Sequence, residues 1–340
     1  DVLISPETLV TEHIARLIDY PGALQVLDFA DGRAQMVATQ AYAGGPLVGP
    51  RLQTLREHMP SDAEARVAAI YRQDKTIIPD GNTMIEENDT VFFLAAQKNI
   101  QLMMRELRPL DNPIRRVILA GGGHIGANLA RYLERDHHVK VIERDADRAE
   151  VIAEHLERAI VLVGDCADEE LLREEAVDST DVYCVLTNDD EANILSSMLA
   201  KKMGAEKVIA IINRPAYVDL VESGSIDIAV SPQQITIGAL LTHIRRGNMV
   251  RIHSLRRGAA EAIEAVALGD KRSSKVVGRA IEDIDLPPGT TIPAIVRGEE
   301  VMIAHHDTVI YAGDHVILFV PDKRQIAAVE RLFQVGAIFI

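Results

Sequence analysis

The stretch Arg115-Arg116-Val117-Ile118-Leu119-Ala120-Gly121-Gly122-Gly123-His124-Ile125-Gly126 decides the fold. A short apolar run, Val117 to Ala120, meets Gly121, Gly123 and Gly126 in the G-x-G-x-x-G spacing, and a helical pattern with Leu129, Ala130 and Leu133 follows. In such a strand–turn–helix the first glycine permits the tight turn and the second lets a phosphate approach the backbone. The third lets the helix pack close to the strand. The helix start then offers N–H groups and a positive dipole end to an anion. Val139 to Glu143 reads as a second strand ending in a carboxylate, about 20 residues beyond the glycines, where a ribose-binding acid belongs.

Further along, strand and helix patterns alternate. Ile160–Val163, Val182–Thr187, Val208–Ile212 and Ile228–Val230 read as strands. Helices are predicted around Ile125–Leu133, Arg148–Leu156, Glu169–Glu174, Ala192–Met203 and Tyr217–Val221. This order, with near-continuous apolar strands, predicts a Rossmann-like, doubly wound α/β domain whose parallel sheet is covered on both faces. Ligands bind at the carboxyl ends of such strands.

Those ends supply the candidate residues. Around the turn they are Gly121, Gly122, Gly123, His124, Ile125 and Gly126, with His124 expected as an exposed loop residue. Glu143 is placed to accept both ribose hydroxyls. Its charge repels a 2′-phosphate and so favours NAD over NADP, although the neighbouring Arg144 works the other way. The same ribose occurs in ATP and ADP, which Glu143 does not separate from NAD. Gly164-Asp165-Cys166 follows the third strand, either lining the adenine end or making a plain turn. After the fourth strand, Thr187 is placed for a phosphate or a second ribose, whereas helix capping accounts for Asn188 or Asp189. Arg214, after the fifth strand, is placed to neutralise a pyrophosphate. No G-x-S-x-G, H-E-x-x-H, C-x-x-C or Walker A motif is present, and the eleven histidines show no metal-ligand spacing.

Flanking this domain, one pattern occurs twice. Asp1 to Pro6 (Asp-Val-Leu-Ile-Ser-Pro) matches Asp227 to Pro232 (Asp-Ile-Ala-Val-Ser-Pro), and each is followed by an apolar helical stripe. Paired strands are predicted in Ala23–Thr39 and again in Met249–Leu255 and Ala262–Leu268. A short helix is expected after Val48–Gly49 and after Val277–Gly278, and Asp89–Ala95 matches Asp314–Val320. Closing helices should end near Leu107 and Leu332. Internal duplication accounts for the series. It divides the chain into residues 1–20, the tail of a truncated first nucleotide-binding domain; 21–108, a first small α+β domain; 109–114, a linker; 115–246, the Rossmann domain; and 247–340, a second small domain. If Asp1 corresponds to Asp227, a further nucleotide domain is expected upstream of Asp1.

Composition narrows the function classes. A hydrophobic content of 47% against 26% charged residues is that of a globular chain able to bury cores. The net charge of −15 argues against nucleic acid, whose phosphates need clustered Lys and Arg. No apolar run reaches the roughly 18 residues that span a bilayer. The two cysteines, Cys166 and Cys184, suit free thiols in a reducing cytoplasm.

The chain resembles the TrkA family, the regulatory subunits of bacterial Trk potassium uptake systems. The resemblance rests on Ala120–Gly126, Val141–Asp145 (Val-Ile-Glu-Arg-Asp), Thr187–Asn193 (Thr-Asn-Asp-Asp-Glu-Ala-Asn) and Ser254–Glu264 (Ser-Leu-Arg-Arg-Gly-Ala-Ala-Glu-Ala-Ile-Glu). It implies tandem RCK-like units, each a nucleotide domain with a small C-terminal regulatory domain. It also implies a binding module and not an enzyme, one that takes NAD or NADH, and in some members ATP and ADP. Such proteins form a tetrameric cytoplasmic ring at the inner face of the membrane, beneath a potassium-translocating TrkH-like subunit, without inserting into the bilayer. The alternatives are an NAD-dependent dehydrogenase and a nucleotide-sensing subunit of another ion transporter. Against the dehydrogenase stand the duplicated small domain and the lack of a substrate lobe.

Overall fold

A computed structural model of the protein describes residues 4–335 except 61–62, 74, 109–111, 222–225, 245–247 and 256–259. Asp1–Leu3 of the Asp1–Pro6 match, residues 109–111 of the linker and Arg256–Ala259 of the Ser254–Glu264 run lie outside the described residues. The chain forms two compact units, one of Asp1–Pro21 with Asn112–Thr236 and one of Gly22–Asp111 with Ile237–Ile340.

Helix α1 (Pro6–Asp19) starts with proline in its first turn, and the Ser5 hydroxyl accepts from Thr8 N. The first small lobe follows: β1 (Ala23–Phe29), β2 (Ala34–Gln40), α2 (Leu55–His58), β3 (Ala65–Arg72), β4 (Lys75–Ile77), β5 (Thr90–Ala96) and α3 (Ile100–Leu107). Its strands form an antiparallel sheet in the order β1-β2-β5-β3-β4.

Then strand and helix alternate: β6 (Arg116–Ala120), α4 (His124–Leu133), β7 (His138–Glu143), α5 (Ala146–Glu154), β8 (Ile160–Val163), α6 (Glu169–Glu174), β9 (Val182–Val185), α7 (Asp190–Met203), β10 (Lys207–Ile211), α8 (Pro215–Val221) and β11 (Ile228–Val230). All six strands are parallel, in the order β11-β10-β9-β6-β7-β8. The winding reverses between β6 and β9, so the glycine turn after β6 lies at the topological switch point. Side chains alternate across the sheet. Val117, Leu119, Val141 and Cys184 face one apolar layer, whereas Ile118, Ala120, Ile142, Tyr183 and Val185 face the other.

The first of those layers is completed by α1. Val10, Ile14, Leu17 and Ile18 are buried with Leu129, Ala130 and Leu133 of α4, and Tyr132 donates its hydroxyl to Asp19 at 3.1 Å. The helix expected as the tail of an upstream domain thus packs on the nucleotide domain that follows it. Several boundaries differ from the predicted ones by one or two residues, and two of these differences fall at the β9–α7 connection. Strand β9 stops at Val185 because the Thr187 N–H is taken by Asn193 Oδ1 at 3.2 Å. Helix α7 begins two residues early, at Asp190, with Asp189 as its cap accepting from Ala192 N at 2.9 Å.

Helix α9 (Pro232–Ile244) leads to the second lobe: β12 (Met249–Leu255), β13 (Ala260–Val266), β14 (Thr291–Arg297), β15 (Glu300–Ile303), β16 (His315–Val320) and α10 (Ile326–Leu332). Its order, β12-β13-β16-β14-β15, repeats that of the first lobe. The short helix expected after Val277–Gly278 is only a 3-10 turn, Ile281–Asp283, halted by Pro287 and Pro288. One apolar cluster draws on both sheets, joining Phe29, Met36 and Leu94 to Leu255, Ala262 and Phe319.

Candidate nucleotide site

The glycine turn is held from several sides. Gly121 has φ +111°, a region open to glycine, and its N–H continues the ladder to Ile142 O at 2.8 Å. A Cβ on Gly126 would stand 1.9 Å from Gly121 O, so only glycine lets α4 approach the turn. The middle position, Gly122, is restricted as well. A Cβ there would lie 2.3 Å from Ile152 Cδ1 and 2.9 Å from Glu143 Oε2. A Cβ on Gly123, the N-cap of α4, would have nothing within 4 Å.

Beside the turn, Glu143 ends β7 with its carboxylate already aimed. Oε2 accepts from Gly122 N at 2.8 Å and Oε1 from Asp145 N at 3.0 Å. Each oxygen keeps acceptor capacity, which two vicinal ribose hydroxyls can use. Asp145 caps α5 through Arg148 N, and Arg148 Nε donates to Gly122 O at 2.9 Å. Arg144 is exposed in the β7–α5 turn.

The other candidates stand as follows. His124 is exposed, as expected, but it is the first residue of α4 and not part of a loop, while Ile125 packs on the core beneath the sheet. Asp165 is exposed and accepts from Ala167 N at 2.8 Å, the signature of a local turn. Cys166 is half-buried; burial pushes its thiol pKa up, and its carbonyl accepts from Tyr183 and Ser196 at 3.0 and 2.7 Å. The Thr187 hydroxyl donates to Asn193 Oδ1. Asn188 and Asp189 are exposed at the start of α7, where Asp189 serves as the cap. The Arg214 guanidinium donates to Glu191 Oε1 at 2.6 Å and to the Tyr217 hydroxyl at 2.9 Å, so its charge is already matched.

Two residues of α7 organise the strand ends without having been singled out in the sequence. Fully buried Asn193 donates to Thr187 O and Ile211 O at 2.9 and 2.8 Å, tying β9 to β10. The buried Asp190 carboxylate accepts from the backbone of Asn213 and Arg214, both at 2.8 Å. Asn193 closes the Thr187–Asn193 run, and an amide at a core-facing helix position is the signal that marks it. Among the described residues no group of three or more His, Cys, Asp and Glu could hold a metal ion. Nor, among them, is any helix long and apolar enough to cross a membrane.

Comparison with known proteins follows the same division. The TrkA-N domain family matches residues 117–232, and the TrkA-C domain family matches residues 40–108 and 270–334. A Trk system potassium uptake protein TrkA from Halomonas elongata is 62% identical over 339 residues, covering 100% of this chain and 74% of the relative. One from Vibrio alginolyticus is 59% identical over 340 residues, again covering 100% and 74%. Among solved structures, the GsuK RCK domain aligns with a TM-score of 0.52 at 17% identity, over 96% of this chain and 69% of that one. A GsuK channel bound to NAD aligns with a TM-score of 0.51 at 18% identity, over 96% and 57%. At such identities the structural likeness is one of fold. The sequence relatives are potassium uptake proteins and not dehydrogenases, which removes support from the enzyme alternative. The chain belongs to the Trk system potassium uptake protein TrkA family.

Proposed function

We propose that the chain senses NAD or NADH, or ATP and ADP in their place, and conveys the bound state to a membrane potassium-translocating subunit of TrkH type. The observation that carries this reading is the Glu143 carboxylate, pre-aimed by Gly122 N and Asp145 N beside an open helix N-terminus. The NAD bound by a GsuK channel of like fold supports the choice of ligand. In this reading residues 115–246 hold the nucleotide, 21–108 and 247–340 are the coupled lobes, and 109–114 link them. The protein works as a tetrameric ring at the inner face of the membrane. A ligand biases such a ring only as far as its affinity differs between ring conformations.

Helix α9 is the element proposed to carry the shift between subunits. Its apolar stripe in the sequence is Ile237, Leu240, Leu241 and Ile244, and a contact through that stripe would be expected to use Leu241 and Ile244. Leu241 instead packs on the core of the second lobe, and the side chain of Ile244 lies outside the described residues. Among the described side chains of α9 the exposed apolar ones are Ile237 and Leu240, each 43% exposed, and these are the residues proposed to make the contact.

Calorimetric titration with NADH, NAD, ATP and ADP tests the reading, run beside Glu143→Ala. Wild-type protein should bind at least one of the four, and the variant should bind it about tenfold or more weakly, as expected for losing a charged hydrogen-bond acceptor. Absence of binding by wild-type protein overturns the reading.

A further inference from the structure

We propose that Arg148 is a positioning residue for the diphosphate, acting through the Gly122–Gly123 peptide; this rests on the nucleotide reading above. Arg148 Nε donates to Gly122 O at 2.9 Å from the first turn of α5. Its own N–H is tied to the Asp145 carboxylate, which fixes where that turn begins. The peptide between Gly122 and Gly123 is trans and planar, so its carbonyl and its N–H point in opposite directions. With the carbonyl turned towards α5, the Gly123 N–H faces away from it, at the N-cap of α4. There a Cβ would meet nothing within 4 Å.

The need for such a clamp follows from the sequence. Between two glycines a peptide can flip at little steric cost, because both flanking residues reach either sign of φ. A flip would turn the Gly123 N–H inward and present a carbonyl oxygen to the phosphate, an acceptor facing an anion. The preceding peptide has a restraint of its own, since Gly122 N donates to Glu143. For the Gly122 carbonyl the guanidinium of Arg148 supplies it. Glu143 and Arg148 therefore divide the work, the first serving the ribose and the second ordering a donor for the diphosphate.

The test is titration of the full chain with NADH, ADP and adenosine, as wild type, Arg148→Met and Arg148→Lys, at low and high salt. Arg148→Met is expected to weaken NADH and ADP about tenfold, the cost of misdirecting one charge-assisted donor, while adenosine changes by less than about twofold. The loss should persist at high salt, and Arg148→Lys, which can still donate to Gly122 O, should recover most of it. Equal weakening of adenosine would mean a merely structural role. A loss that vanishes at high salt would mean direct ion pairing with phosphate. Either result, or unchanged NADH and ADP affinity in Arg148→Met, overturns the inference alone. Wild-type protein that binds none of the three ligands removes the nucleotide reading and the inference with it.

Discussion

A methyl group added at Gly126 would stand 1.9 Å from the Gly121 carbonyl oxygen, closer than any relaxed contact. Gly126→Ala must therefore push α4 away from the turn. We expect a loss of about 1–3 kcal/mol in thermal unfolding, as for other overpacked sites, together with a nucleotide affinity at least about tenfold lower. Unchanged melting and binding would show that the turn yields more readily than its packing implies. The thiols give a second check at this scale. Cys184 is completely buried and its pKa is pushed up to about 12 by burial, so it should resist thiol reagents until the chain unfolds. Cys166, half-buried, should react slowly in the native state. The turn and packing roles of Gly121 and Gly126, and the place of Glu143 at the end of β7, were legible because spacing alone implies them. Those of Gly122 and Arg148 were not. Nothing in G-x-G-x-x-G says that a side chain at the second position would have to displace Ile152, thirty residues away.

Single polar residues hold the elements of the nucleotide domain in place. Glu134, at the end of α4, is buried and accepts from the N–H groups of Glu157, Arg158 and Ala159 at 2.9, 2.8 and 3.0 Å. Burial alone would raise its pKa, but these three donors outweigh it and hold the carboxyl below its ordinary 4.5. The unfolded chain then binds a proton more readily than the folded one. The stabilisation is present above the ordinary carboxylate range and is lost as pH falls through the depressed folded value. Glu134→Gln should accordingly lower the melting temperature at neutral pH, with the difference from wild type shrinking in acid; a gap independent of pH would contradict this. Asn193→Ala leaves the carbonyls of Thr187 and Ile211 and the donors of Thr187 without their buried partner, at an expected cost of about 2–4 kcal/mol in denaturant unfolding. Strands and helices of this domain were readable from apolar runs and caps. Where β9 ends was not, since a side chain six residues on decides it. Nor was the seat of α1. Its apolar stripe said that it packs, and a stripe does not say on what.

Over the whole molecule, duplication was the most readable feature, and the two lobes repeat it in detail. Arg72 grips Asp89 through two hydrogen bonds of 2.9 and 2.8 Å, and Arg297 grips Asp314 with the same geometry and distances. Both aspartates had been aligned from the sequence; their arginine partners, 17 residues earlier, had not. The copies are not equal, however. Fully buried Glu264, which accepts from Ala30 N at 2.9 Å and pairs with His315 at 2.5 Å, occupies a strand position where the first lobe has Ala38. At the level of assembly, Ile237→Asp with Leu240→Asp should shift the protein towards smaller species in sedimentation while leaving its melting temperature nearly unchanged. An unaltered oligomer would exclude this face of α9 from the contact. The central claim is that a nucleotide held at the glycine turn changes potassium movement. It is tested most directly by potassium flux into vesicles that carry the translocating subunit and the full-length protein, with and without NADH and ATP. The account predicts a nucleotide-dependent change in flux that Glu143→Ala abolishes; a flux indifferent to every nucleotide, or equally responsive in the variant, would contradict it.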